Sequence, residues 1–217
     1  MATHPRAPTR KTTAPVKRST NKKPVVVKVV DDDDDLGIDE VSLHSMGAYM
    51  FFDEVDTDSA KGLCEFIIKA NYIFPKDQSL TILVNSPGGQ CYDGFSIIDL
   101  METSRLKIQT VGIGMIASMA TLITSAGTKG MRVMTKNAFI MTHQFSTYFE
   151  GKYHEILATR AHDDELHARF IQHFLRHTKM TQKQVQDIFL GPSDKWLTAK
   201  DALKYGLCDR IQDPWSS

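Results

Sequence analysis

From Val41 onward, short apolar runs alternate with longer stretches in which apolar residues recur every third or fourth position. Tyr49 to Asp53 (YMFFD) and Leu80 to Val84 (LTILV) have the length and composition of buried strands. The second runs into a turn sequence, Asn85-Ser86-Pro87-Gly88-Gly89. Between them, Leu63, Phe66 and Ile67 sit at helical spacing within Ser59 to Asn71. A helix is predicted over Gly94 to Leu106, a third strand over Ile108 to Gly112, and an Ala/Met/Leu-rich helix over Ala117 to Ala126. Met131 to Met134 and Phe139 to Met141 read as further short strands. A long amphipathic helix over Gly151 to His177 follows, with Ile156, Leu157, Leu166, Phe170, Ile171, Phe174 and Leu175 as its apolar positions. Two short helices are predicted after it, Thr181 to Phe189 and Thr198 to Tyr205, the latter stopped by Gly206. Strands alternating with helices predict an α/β domain with a mostly parallel sheet.

The first forty residues break this pattern. Met1 to Val30 holds eight Lys or Arg, four of the eight prolines and no acid, and Asp31 to Asp35 is an unbroken run of aspartate. Such a segment cannot bury enough apolar surface to offset its ordering entropy, and the aspartates repel one another. Residues 1–40 are therefore expected to form a disordered tail, basic and then acidic, ahead of one folded domain over 41–213. A basic, Thr-rich start is also the composition of an organelle transit peptide, but no amphipathic apolar face accompanies it.

Charge and cysteine content narrow the function classes. The 217 residues carry no formal net charge, which removes the general electrostatic argument for nucleic-acid binding. Cys64, Cys91 and Cys208 fit neither a disulfide framework nor a zinc spacing, so a reducing, cytoplasmic compartment is expected. No apolar run approaches the ~18 residues of a membrane span. The sequence His154-Glu155-Ile156-Leu157-Ala158 opens like a zinc-protease helix but has alanine where the second ligand belongs, and His162 and His167 are spaced awkwardly for one helix face. No metal or cofactor is expected.

Four short segments carry the chemistry. Ser118 lies between small residues and a helix-like run, where free backbone N–H groups favour developing negative charge. Taken singly, a serine there is a helix cap. His143 ends the apolar strand Phe139-Ile140-Met141-Thr142, and Asp194 follows a Gly-Pro-Ser turn. Gly88 and Gly89 close a strand and could turn a backbone N–H outward. Each has a bland structural reading when taken alone.

Taken in order, they resemble the ClpP family, the proteolytic subunit of the Clp protease. The resemblance rests on Asn85-Ser86-Pro87-Gly88-Gly89, Gly114-x-x-Ala117-Ser118-Met119, Met141-Thr142-His143-Gln144 and Asp194-Lys195-Trp196-Leu197-Thr198-Ala199. Ala202, Tyr205-Gly206-Leu207 and Asp209 extend it, so that it covers residues 45–212. The steps of 29 residues from Gly89 to Ser118 and 25 from Ser118 to His143 agree with the family's spacing. It implies a ClpP/crotonase-like fold of stacked ββα units with a protruding long helix. It implies serine endopeptidase activity, with Ser118 as nucleophile, His143 as general base and Asp194 as the third triad member. Gly89 and Met119 would supply the oxyanion-hole N–H groups. It further implies a ring homo-oligomer, heptameric and often doubled, that hydrolyses proteins delivered by an AAA+ unfoldase. No Gly-x-x-x-x-Gly-Lys-Ser/Thr loop is present, so a partner would have to supply the energy of ATP.

The chain departs from the family in three places. Gln144 to Glu150 carries Phe145, Tyr148 and Phe149 where a proline and a Gly-rich strand are usual. Ser193 replaces an arginine that helps join two rings in many members, and the stretch before Tyr49 does not match the axial loop. These departures leave open a specialised protease on the same fold, such as a capsid-maturation enzyme, acting without an ATPase.

Overall fold

The structure, a computed structural model, describes residues 42–212. The tail expected over 1–40 lies outside the described residues. After a 3-10 turn at Leu43–Met46, the order is β1 (Ala48–Phe51), α1 (Thr57–Ile73), β2 (Ser79–Ser86), α2 (Cys91–Thr103), β3 (Lys107–Ala117), α3 (Met119–Ser125), β4 (Arg132–Met134), β5 (Phe139–Thr142) and α4 (Tyr153–His177). A short α5 (Gln182–Gln184) continues as a π-helical turn, Val185–Phe189, and β6 (Lys195–Thr198), α6 (Ala199–Tyr205) and β7 (Arg210–Ile211) follow. The fold is α/β with a mostly parallel sheet, as the alternation predicts.

The sheet runs β1-β2-β3-β4-β7, with β5 on the far half of β3 and β6 alone antiparallel, against β5. Burial alternates along β2, placing Leu80, Ile82, Val84 and Ser86 inside. Helix α1 covers the sheet with Ala60, Leu63, Phe66, Ile67 and Ala70, one stripe at helical spacing. Asp56 caps this helix, accepting from the Ser59 backbone N–H at 2.8 Å while the Ser59 hydroxyl accepts from the Asp56 N–H.

Several predicted elements differ from the observed ones. The third strand continues five residues past Gly112, and Ala117 is a strand residue rather than the start of a helix. Pairing of Met115–Ala117 with Phe139–Met141 overrides the helix propensity of Ala117. Helix α2 starts at Cys91, three residues before the predicted Gly94. Two short strands, β6 and β7, were not predicted; each is defined by its partner, not by its own periodicity. On α4 only Leu166, Phe170, Ile171 and Phe174 of the predicted apolar positions are buried, while Ile156, Leu157 and Leu175 are exposed. The N-terminal half of α4 thus extends beyond the core, as a protruding helix would.

Charged groups seal the underside of the domain. Arg132 is buried and forks onto Asp209, with Nη2–Oδ1 at 2.6 Å and Nε–Oδ2 at 3.0 Å. Asp209 also accepts the backbone N–H groups of Gly130 and Arg132. Burial works against this carboxylate, but the Arg132 hydrogen bonds and charge outweigh it and hold it below the usual range. The same guanidinium donates to the carbonyls of Ser125 and His177, joining α3, α4, β4 and the C-terminal segment. Among the described residues, no helix is long and apolar enough to cross a membrane.

Removing one partner of a buried pair leaves the other charge uncompensated. Arg132→Ala is therefore expected to lower stability by about 3–5 kcal/mol, read from the midpoint of urea unfolding. A second prediction concerns acid. Burial pushes buried His173 down to about 3 from an ordinary 6.5, so the unfolded chain binds a proton there that the folded chain refuses. The contribution is complete above pH 6.5 or so and is lost as pH falls from there toward 3. Melting curves across that window should shift downward with acid, and the slope should be shallower in His173→Gln.

Candidate active site

The site assembles at the carboxyl ends of parallel strands. Gly114 has φ +65°, and a Cβ there would meet Asn85 Oδ1 at 2.9 Å. Asn85 in turn accepts the Met115 backbone N–H at 3.0 Å. This bend lets β3 leave β4 after Gly112 and join β5 from Met115. The register Ala117↔Met141 then brings the next residues of both strands, Ser118 and Thr142-His143, out at the same edge.

Ser118 stands between β3 and α3 with φ 50° and ψ −122°. Among the described residues it is the one non-glycine with positive φ. Such backbone costs on the order of 1–3 kcal/mol and persists only where its surroundings enforce it. Here the enforcing bond is Ser118 N–H to Met141 O, at 2.8 Å. Ser118 holds the N-cap position of α3, yet its side chain caps nothing. Its Oγ lies 2.8 Å from His143 Nε2 instead. The capping reading of Ser118 therefore fails at the level of the hydroxyl.

Asp194 is brought in by the unpredicted β6. Thr142 pairs with Lys195, so the residues that follow and precede them, His143 and Asp194, come side by side. His143 Nδ1 is 3.8 Å from Asp194 Oδ1, an ion-pair separation longer than a hydrogen bond. The Asp194 side chain is 61% exposed, so solvent screens this contact.

The Gly88-Gly89 turn is clamped between Val55 and the start of α3. Val55 N–H donates to Gly88 O at 2.8 Å, and Gln90 N–H donates to Val55 O at 2.7 Å. In this parallel bridge Gly89 turns its own N–H away from Val55. A Cβ on Gly88, at φ +85°, would lie 2.5 Å from Ala117 O and 2.8 Å from Met119 N. Met119 opens α3, so its N–H has no acceptor within the helix. Val55 is the member of the site that sequence reasoning missed: the paired glycines marked the turn, and nothing marked the residue that clamps it.

A cavity of about 480 Å³ lies beside Ser118 and His143. Leu122, Met141, Phe170, Phe174, Phe189 and Leu190 give it an apolar lining, and Glu54 and Gln90 are polar members. Phe145 stacks on Phe170 with ring centres 5.6 Å apart, and residues 143–150 form no strand. Cys91 also lines the cavity, but burial pushes its thiol up, away from the reactive thiolate.

The Clp protease family model matches residues 42–214. The chain belongs to the Clp protease family. It is 37% identical over 142 residues to the ATP-dependent Clp protease proteolytic subunit 1 of Leifsonia xyli subsp. xyli, covering 63% of this chain and 68% of that protein. It is 33% identical over 168 residues to proteolytic subunit 2 of Nocardia farcinica, covering 73% and 76%. Against proteolytic subunit 2 of Tropheryma whipplei it is 33% identical over 158 residues, covering 73% and 86%. The chain is accordingly a hydrolase of peptide bonds, of the serine type, and the ClpP resemblance read from the four motifs holds.

Gly88 offers a direct check on how tightly this Clp-family site is built. Gly88→Ala puts a methyl against the backbone of Ala117 and Met119. Peptidase activity is expected to fall on the order of 100-fold through displacement of Ser118, measured on a fluorogenic peptide. Alanine at the exposed Gly130, which meets nothing within 4 Å, is the control for positive φ alone.

Proposed function

We propose that Ser118, His143 and Asp194 act as the catalytic triad of a serine endopeptidase, with the N–H groups of Gly89 and Met119 as its oxyanion hole. The observation that carries this reading is the 2.8 Å contact between Ser118 Oγ and His143 Nε2, made by a serine held at positive φ. Ser118 Oγ attacks the carbonyl carbon of the scissile bond as its proton passes to His143 Nε2. The carbonyl oxygen becomes an oxyanion between Gly89 and Met119, at the start of α3 where the helix dipole also favours negative charge. Collapse expels the amine, which takes the proton from His143. A water molecule, deprotonated by His143, then attacks the acyl ester, and the ester bond breaks as His143 returns that proton to Ser118 Oγ, releasing the acid product and restoring both residues. For Asp194 to fix the imidazole, its carboxylate must close from 3.8 Å to hydrogen-bond distance of Nδ1.

The apolar part of the lining offers a place for a hydrophobic substrate side chain. The chain works, in this reading, as one domain over 41–213 within a heptameric ring, single or double, fed unfolded protein by an AAA+ ATPase. The names of its relatives, proteolytic subunits of ATP-dependent proteases, support that arrangement. Three free thiols suit a cytoplasmic location. A self-sufficient protease on the same fold is favoured by one observation, the strandless, aromatic segment after His143. Degradation of a folded protein with and without an added ATPase separates the two.

The triad is tested by labelling with a fluorophosphonate probe. The parent is expected to label, and Ser118→Ala and His143→Ala are expected to lose labelling and on the order of 10⁶-fold in kcat. Asp194→Asn should cost up to about 10⁴-fold. Undiminished labelling in Ser118→Ala would move the nucleophile elsewhere.

A further inference from the structure

Away from the cavity beside Ser118, two histidines four residues apart share one face of α4. The rings of His173 and His177 have centres 4.5 Å apart. Glu102, in the last turn of α2, meets them, with its Oε1 2.7 Å from His177 Nε2. One donor atom from each of the three residues can be chosen so that all lie within 4.8 Å of one another. None of the three lines the proteolytic cavity. We propose that Glu102, His173 and His177 form a binding site for a divalent first-row transition-metal ion of the zinc type.

The donor set suits such an ion. Two imidazoles and a carboxylate are nitrogen and oxygen ligands that Zn²⁺ accepts, and three protein ligands leave one position for water. A second cavity, of about 400 Å³, reaches Glu102 and His177 and gives that water and the ion a way in, although Arg105, Lys107, Lys129 and Arg176 also line it and oppose a cation's entry. His173 is held for ligation by what surrounds it, whereas His177 Nε2 donates to Glu102 and must give up that proton to an entering ion. His173 Nε2 lies 2.9 Å from Ser125 Oγ and 3.1 Å from Leu122 O. The Ser125 hydroxyl donates to Leu122 O, so both neighbours act as acceptors toward the ring. Nε2 therefore carries the proton and Nδ1 the lone pair, the arrangement in which a ligating histidine is held by a backbone carbonyl. Both histidines are buried.

Two arginines bond directly to residues of the site, and they set the expected behaviour. Arg132, beside the His177 carbonyl, is already neutralised by Asp209. Arg176 holds both oxygens of Glu102, at 3.1 and 2.9 Å. Its side chain is 61% exposed and free to swing into solvent. Arg176 thus competes with the ion for Glu102. An ion bound there would tie α2 to α4 and, through His173 and Leu122, to α3, which begins one residue after Ser118.

The test is calorimetric titration of Zn²⁺ into the chelator-treated full-length protein. One ion per chain is expected. Glu102→Gln and His177→Gln should each weaken binding at least about 10- to 100-fold. Arg176→Gln should tighten it, a gain that misfolding cannot imitate. His143→Ala and the double replacement His154→Ala with His162→Ala should bind as the parent does. Absence of saturable binding, binding unchanged in Glu102→Gln and His177→Gln, weaker binding in Arg176→Gln, or loss of the ion in His143→Ala would each overturn the proposal.

Discussion

Strand β3 pairs with β4 up to Gly112 and with β5 from Met115 onward, and the bend at Gly114 between them is the constraint on which the candidate site depends. An unbent strand would keep its β4 partner and never reach the register Ala117↔Met141. That register sets Ser118 and His143 at one edge, and the antiparallel register of β5 with β6 adds Asp194 beside His143. Two strand pairings therefore account for three side chains drawn from positions far apart in the chain.

The strain at Ser118 is held by its surroundings rather than relieved. Its N–H is tied to Met141, its carbonyl accepts the Thr121 N–H at 3.0 Å, and the Gly88 backbone presses from the other side. Met119 and Ile123 of α3 are among the most completely buried side chains, so the short helix cannot shift to relax the turn. Core packing thus maintains the position of the half-buried hydroxyl, in keeping with how strained backbone survives where its surroundings enforce it. By contrast, the His143–Asp194 contact is long and wet. Rigidity is concentrated at the serine and its backbone neighbours.

Polar burial is concentrated on the opposite side of α3. Ser125, His173, His177, Arg132 and Asp209 form one connected set, and among the described residues no buried side-chain nitrogen or oxygen lacks a partner. A fully satisfied network of this kind pins helix ends and the C-terminal strand at fixed distances, where apolar contacts alone would tolerate sliding. The Asp209 that the family resemblance singled out belongs to this network and not to the active site.

The sequence by itself determined the α/β class, the central strands and the family, and it supplied the candidates for the site. Hydrophobic period and turn residues are local properties, and the four motifs name Gly89, Ser118, Met119, His143 and Asp194 by order and spacing. The tertiary structure alone decided where β3 ends, because sheet pairing outweighs the helix preference of Ala117. It alone supplied β6 and β7, four and two residues long, which carry too little periodicity to be read without their partners. It alone brought Val55 to the Gly88-Gly89 turn, that turn to the serine, and Glu102 to two histidines more than seventy residues away. Those approaches are made by packing between elements, and no pattern along a single element encodes a distance to another.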